Sequence, residues 1–487
     1  MAKTKFHINH FLQPASTEVS HFLAGDNQLV IANGVNPCYK PGKLIKDLGY
    51  SLVGSAILAT KPIRSLFNYR RTSAIQGVFV TIDDATSDDT QLFYSTGGAW
   101  TEITDAETAW AGEATMDIEM EDFIGYTFFV GYSSTDGFLP PRTVTSTATF
   151  GTTNTTSMPN AKYIKRYRDR LYIANCDITG TAYPYRVYFS SVPSAGTITW
   201  TVASDFIDID YSESITGIEE NWDRFVIFTE KAAWFYNQDE FKKVWEIGCV
   251  NNRTIQKADD YLIWANKDNV WVSTGGKPVP IANDILELVR HSTSSNWRSA
   301  VVDGEYNLYL GATTANGLAY TNCLATYNIS MGMWRWRELY DSLTAMCTRL
   351  TGGDDYLWLG TNDGEVHVKS RYIDSSPVYT DNTKAIVSHF RTKAYDFGDP
   401  SIMKFIEKVV AYAGYGGNLQ LFYRVFDKNN EIDQEFKPIG TLPKVVNILA
   451  DKSMSGYFIQ FEGREMGTTK SWEFYGFTAI LGTETGT

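Results

Sequence analysis

Tyr261-Leu-Ile-Trp-Ala265, a polar turn at Lys267-Asp268, and Val270-Trp-Val-Ser273 form the stretch from which the rest of the chain can be read. Two short apolar runs rich in aromatic and β-branched residues, separated by a tight polar turn, describe a β-hairpin. The pattern recurs. Phe225-Val-Ile-Phe-Thr229, Glu230-Lys231 and Ala233-Trp-Phe-Tyr236 make a second copy, and Tyr356-Leu-Trp-Leu-Gly360, Asn362-Asp-Gly364 and Val366-His-Val-Lys369 a third. Asp-Gly between two such runs is a strong hairpin signal.

Looser copies carry longer loops: Val78–Ile82 with Gln91–Ser95, Leu171–Ala174 with Arg186–Ser190, and Leu308–Gly311 with Leu324–Asn328. Tyr126–Tyr132 is a further strand of the same kind. The seven strand starts, near positions 77, 126, 171, 225, 262, 308 and 357, are spaced 37 to 54 residues apart. Blades of β-propellers repeat every ~40–50 residues with four strands each. The expectation is an all-β chain with a degenerate β-propeller over 61–375, of six to eight blades, seven by the count of starts. Asp169-Arg170, Asp223-Arg224, Asp259-Asp260, Asp303-Gly304 and Asp354-Asp355 precede these strands, where Asp suits a tight turn.

Three regions fall outside this pattern. Residues 1–60 carry extended stretches around Asn27–Ala32 and Tyr50–Leu58 and read as an arm with platform strands. Thr143–Ser157 is rich in Thr and Ser and reads as a long loop or linker. Residues 376–487 change to longer strands, Ser388–Phe397, Ile406–Tyr412, Leu419–Phe426, Tyr457–Glu462 and Ser471–Leu481, which suggest a β-sandwich. The two terminal regions are expected to pack together as a platform. The one short helix expected is Ile285–Arg290, capped by Asn283 or Asp284.

Composition sets limits. The chain has 487 residues, 43% of them hydrophobic and 20% charged, so a wholly disordered chain is excluded. Net charge is −13, which makes it a poor general binder of nucleic acid. Cys38, Cys176, Cys249, Cys323 and Cys347 are odd in number, with no Cys-x-x-Cys, as in a reducing compartment. Met1–His10 is polar, so no signal peptide is expected, and no apolar run is long enough to span a membrane.

The chain resembles the tail hub, or nozzle, proteins of short-tailed bacteriophages. The residues that carry the likeness are Ala394-Tyr-Asp-Phe-Gly-Asp-Pro400 with Lys404 and Val409-Val410, Asn33-Gly-Val-Asn-Pro37 leading to Asp47-Leu-Gly-Tyr-Ser51, and Tyr188-Phe-Ser-Ser-Val192 leading to Thr199-Trp200. The resemblance implies a structural virion protein, assembled in the host cytoplasm and placed in the virion tail. It would form a homo-oligomeric ring of six copies that continues the DNA channel below the portal and adaptor, retains the packaged genome and passes it during ejection. Implied partners are the adaptor or head-to-tail connector, tail fibre or needle proteins, and transient non-specific contact with genomic DNA.

Motifs for catalysis are missing. Gly275-Gly276-Lys277 continues with Pro278 and is no phosphate loop, Gly49-Tyr-Ser51 continues with Leu52-Val53 and is no nucleophile elbow, and no His-Glu-x-x-His occurs. No enzyme activity, cofactor or metal is expected. His7 and His10 lie in an extended terminus, and His367 alternates along a hairpin strand and reads as an exposed or cross-strand residue. Asp208 and Asp210 read as one polar strand face. The alternative is a propeller glycosidase or carbohydrate-binding protein acting on host surface glycans. Ser190-Ser-Val-Pro-Ser-Ala-Gly196 with Thr199-Trp200 resembles the turns of sialidase-like propellers, without their Asp, and Ser95–Trp100 is a fainter echo. The possible acidic channel or loop residues are Asp83, Asp84, Asp88, Asp89, Asp354 and Asp355.

Overall fold

Strong β-propensity and short turns produce an all-β molecule in the computed structural model. It describes residues 4–9, 11, 16–17, 20, 22–40, 42–70, 76–84, 89–103, 110, 116–145, 150–351, 353–414, 418–427, 435–442, 455–465 and 471–483. Among them the one α-helix is Leu286–Arg290, entered through a 3-10 turn at Asn283–Ile285. Neither Asn283 nor Asp284 caps it through a side chain, because the 3-10 turn already places these residues inside the helical segment. No described helix is long and apolar enough to cross a membrane.

Seven antiparallel meanders follow one another along the chain. The first spans Ile63–Arg70 to Thr101–Glu102, the second Asp117–Phe123 to Phe150–Gly151, and the third Asn160–Tyr167 to Phe206–Asp208. The fourth runs from Ile215–Asn221 to Phe241–Trp245, the fifth from Gln256–Ala258 to Val279–Pro280, and the sixth from Arg298–Val302 to Met333–Glu338. The seventh contains Leu343–Thr351, Asp354–Thr361 and Val366–Lys369. Its fourth strand comes from the other end of the chain: Tyr50–Leu52 pairs antiparallel with Val366–Lys369, and Thr380–Asp381 and Lys384–Ala385 extend the sheet beyond it. The pairing therefore crosses the division at residue 60.

The strand starts read from sequence are the second strands of these meanders. Their apolar runs are nearly continuous, because both faces are covered. Arg224–Thr229 is buried from Phe225 onward, as is Tyr261–Ala265 from Leu262 onward. Separate apolar clusters fill the interfaces between consecutive meanders. Phe79, Met120 and Phe129 join the first and second, Phe128, Ile164 and Ile173 the second and third, and Tyr172, Ile218 and Phe225 the third and fourth. The series returns to its start, since Trp358 and Val366 of the seventh pack with Ile63, Val80 and Ile82 of the first.

Turns between first and second strands explain Asp223, Asp259 and Asp303, whereas Asp354 and Asp355 already lie in the second strand. Trp222 and Asp223 have φ of 52° and 54°, and Asp303 and Gly304 of 52° and 71°. A two-residue hairpin with both residues left-handed matches the strand twist, and Asp tolerates that conformation better than most residues. The Thr/Ser tract at 143–157 is not wholly a linker. Arg142–Val144 and Phe150–Gly151 are the last two strands of the second meander, anchored by buried Val144 and Phe150.

The termini build a second body. One sheet orders Val35–Asn36, Leu44–Lys46, Glu473–Thr483, Lys404–Gly414 and Ser455–Gly456, with Thr4–Asn9 also on Glu473–Thr483. The facing sheet contains Leu29–Asn33, Ser388–Tyr395, Phe458–Glu465, Gln420–Phe426 and Lys437–Thr441. Phe461 and Phe477 meet between them at a ring separation of 4.2 Å, and Phe390 and Phe474 at 5.2 Å. The second sheet continues into the sixth meander through a single parallel pairing of Asn33 with Trp336.

Candidate functional site

Charge gathers out of water at several places among the described residues, and two of them line cavities. The first lies where the opening strands of the meanders converge. Polar positions on those strands, with Arg253 of the 3-10 turn Asn252–Thr254, line a cavity of about 220 Å³ bearing Arg64, Glu119, Glu121, Lys165, Glu219 and Arg298. Lys165 Nζ lies 2.7 Å from Glu219 and 4.0 Å from Glu121, and Arg253 lies 3.0 Å from Asp117. Arg298 donates to the carbonyls of Thr344, Ser295 and Trp297. Burial pushes Glu121 up to about 7 against the pull of Lys165, with Glu219 adding to the rise. Burial also presses Arg298 down to about 9, helped by the neighbouring Arg253. The space is below the ~300 Å³ of ordinary small-molecule sites. A DNA duplex, whose major groove alone is ~12 Å wide, does not fit it.

The second place is the junction of the N-terminal segment with the sixth and seventh meanders, around a cavity of about 330 Å³. Gly34 turns the chain there with φ 64°, and a Cβ would stand 2.5 Å from the Val387 carbonyl oxygen. Asn36 Oδ1 accepts from the backbone N–H groups of Cys38 and Tyr39 at 2.8 and 3.1 Å. Buried Asp47 then faces Arg335 and Arg337, each with Nε 3.9 Å from its Oδ2. Arg335 also grips Glu305 through two bonds of 2.6 and 2.7 Å, and Arg337 donates to Asp381 at 3.0 Å. Burial alone would raise the Asp47 carboxyl, but Lys369, Arg335 and Arg337 outweigh it and hold it at about 2. Lys46 and Glu465, both fully buried, pair at 2.9 Å beside this network. Two of the three stretches behind the tail-protein resemblance, Asn33–Pro37 and Asp47–Ser51, thus lie at this junction.

The acids read as channel candidates do not converge. Asp83 closes the second strand of the first meander and is bound by Arg64 at 2.5 Å, which also places it beside the axial cavity. Asp84 is buried, and its N–H donates to the Asp89 carbonyl at 2.9 Å. Asp88 lies outside the described residues. Asp354 opens the second strand of the seventh meander, at the opposite end from such a loop, and pairs with Arg371 at 3.1 Å. Asp355 beside it is exposed.

Other sequence readings resolve individually. Asp208 is locked by Arg186 and Asp210 bonds Ser212, so the two do not form a carboxylate pair. Ser190–Gly196 folds as a small turn with a bridge from Ser194 to Thr197, and Trp200 beneath it donates to the Asn154 carbonyl. His7 contacts the Thr478 hydroxyl at 2.8 Å, and His10 lies outside the described residues. His367 is fully buried, not exposed, because Tyr50 of the N-terminal strand covers it at a ring separation of 4.9 Å. Glu365 and His367 are close in sequence, but Asp341, which joins them, comes from an earlier turn and leaves no local signal. No protein-family model matches this chain, and no curated protein matches it at a significant level.

Proposed function

We propose that the chain is a structural virion protein, a tail hub or nozzle subunit that assembles into a sixfold ring and continues the DNA channel below the portal and adaptor. In this reading the seven meanders are the blades of a propeller, and the two-sheet body is the platform that makes the ring contacts. The observation that carries the proposal is that both ends of the chain combine into one sandwich, joined to the meanders by a buried charge network. A propeller enzyme needs no such second body. The charge-filled axis adds support, because DNA would have to pass between subunits and not through one. Exposed Leu23, Val387, Ile402 and Tyr412 lie on platform segments and suit subunit contacts. Fibre or needle proteins would occupy the outer face.

Removing residues 1–40 tests the reading. It takes away Leu29–Asn33 but leaves Tyr50–Leu52 to complete the seventh meander. The truncated chain is expected to keep a cooperative unfolding transition and to fail to enter tails; normal incorporation would count against the proposal.

The axial carboxylates Glu119, Glu121 and Glu219 favour the second reading, a glycosidase or glycan-binding propeller. Glycan turnover by pure protein that is lost in Glu121→Gln would select it.

A further inference from the structure

The buried face of Val366–Lys369 holds a set of ligating groups that neither the junction nor the axis uses. Glu365 immediately precedes this strand and lies beside His367, two residues on. Asp341, from the turn that follows Met333–Glu338, completes the group. His367 Nε2 stands 3.1 Å from Glu365 Oε2 and 3.7 Å from Asp341 Oδ2, and the three ligand atoms lie within 4.8 Å of one another.

Three features call for a cation here. His367 is fully buried, and apart from a contact with the Ser51 backbone its ring nitrogens lack a hydrogen bond of good geometry. Buried polar groups are nearly always satisfied, so this one asks for a partner. No Lys or Arg among the described residues pairs with Asp341 or Glu365, while Asp363 adds a further negative charge nearby. The carboxylates are already oriented by neutral donors: Tyr50 Oη donates to Asp341 Oδ2 at 2.9 Å and Asn382 Nδ2 to Glu365 Oε2 at 3.0 Å. Such outer donors are what metal-binding carboxylates normally possess.

We propose that His367 Nε2 and one oxygen each of Asp341 and Glu365 bind a divalent first-row cation, with water completing its shell. Ligand atoms ~2.1 Å from an ion stand roughly 3.0 to 3.4 Å apart, and the site needs only small adjustment to reach this. An imidazole with two carboxylates suits Zn²⁺ or Mn²⁺ better than Ca²⁺ or Mg²⁺. Glu365 keeps a quarter of its side-chain surface exposed, which leaves a route from solvent. The ion would tie the turn between the sixth and seventh meanders to the seventh meander's third strand. Through the Tyr50 hydroxyl it would also hold the N-terminal strand in place. The inference does not depend on the tail reading.

Zn²⁺ titration of the chelator-treated full chain against a chromophoric chelator tests it. One Zn²⁺ per chain is expected, with affinity falling at least ~10-fold in Glu365→Gln and in Asp341→Asn, both checked for unchanged circular dichroism. X-ray absorption on the Zn²⁺-loaded unaltered protein, which needs no variant, is expected to find one imidazole and otherwise oxygen ligands. No stoichiometric binding, unchanged affinity in both variants, or a shell with sulfur or several imidazoles would overturn the proposal.

Discussion

The axial cluster and the junction cluster both hold guanidinium and carboxylate groups out of water, but they join different things. Along the axis, Lys165 and Arg253 answer acids on neighbouring opening strands, and every member belongs to the meanders or, for Arg253, to the 3-10 turn between the fourth and fifth. At the junction, Asp47 of the N-terminal segment is answered by Arg335 and Arg337, nearly 300 residues later in the chain. The first cluster fills a gap left by convergent strands. The second fastens one body to another. Buried ion pairs seldom add much net stability, yet removing one partner is severe because the other charge is stranded. The two clusters should therefore respond differently to the same kind of substitution.

The largest effect is expected at the junction. Asp47→Ala leaves three buried cations, Arg335, Arg337 and Lys369, facing only Glu305 and Asp381, and should cost about 3–5 kcal/mol in urea unfolding. A cost below about 1 kcal/mol would remove the distinction between the clusters.

Acid sharpens it. Asp47 is held at about 2, below its ordinary 3.8. A lowered carboxyl contributes stability that is present above the unfolded value and lost as pH falls through the folded one. The junction should thus weaken between about pH 4 and 2, by roughly 2 kcal/mol from this group. Asp47→Asn should flatten the fall of the unfolding temperature across that window.

Glu121 has the opposite sign. Raised from 4.5 to about 7, its contribution is fully present below 4.5 and lost as pH rises through 7. Glu121→Gln should be near neutral at pH 5 and stabilising by roughly 2–3 kcal/mol at pH 8. Equal effects at both pH values would show that the axis is as well matched as the junction.

The smallest effect concerns the acidic surplus. Exposed Asp355 replaced by Lys should change stability by no more than about 0.5 kcal/mol. If it faces a DNA channel, repulsion acts over a Debye length of about 8 Å. The variant should then slow ejection at low salt, and faster ejection would contradict repulsion.

Much of the strand layout was legible because local composition determines it. Tyr261–Ala265, Phe225–Thr229 and Tyr356–Gly360 are apolar on both faces, so their runs stand out from their polar turns. The long C-terminal strands were visible by their length and, in Ser388–Tyr395, by alternation of buried and half-buried positions. Short outer strands such as Val279–Pro280 and Phe206–Asp208 carry too few residues to show a period. Pairings across the chain were hidden, since nothing near Tyr50 announces Val366–Lys369 and nothing near Leu29 announces Ser388–Tyr395. The burial of His367 was hidden with them, because its cover arrives from the first of these pairings. Asp83 and Asp354 read as loose loop acids only because the arginines that bind them lie elsewhere in sequence.

The central claim is that the body built from both chain ends makes a ring and the meanders hang from it. Single-particle electron microscopy of the purified protein, alone and with the virion proteins proposed as its neighbours, tests this most directly. The account predicts a sixfold ring whose inner contacts are made by the two-sheet body, with the meanders outside and a lumen wide enough for duplex DNA. A protein that stays monomeric in both preparations, or a ring held together by the meanders alone, would contradict it.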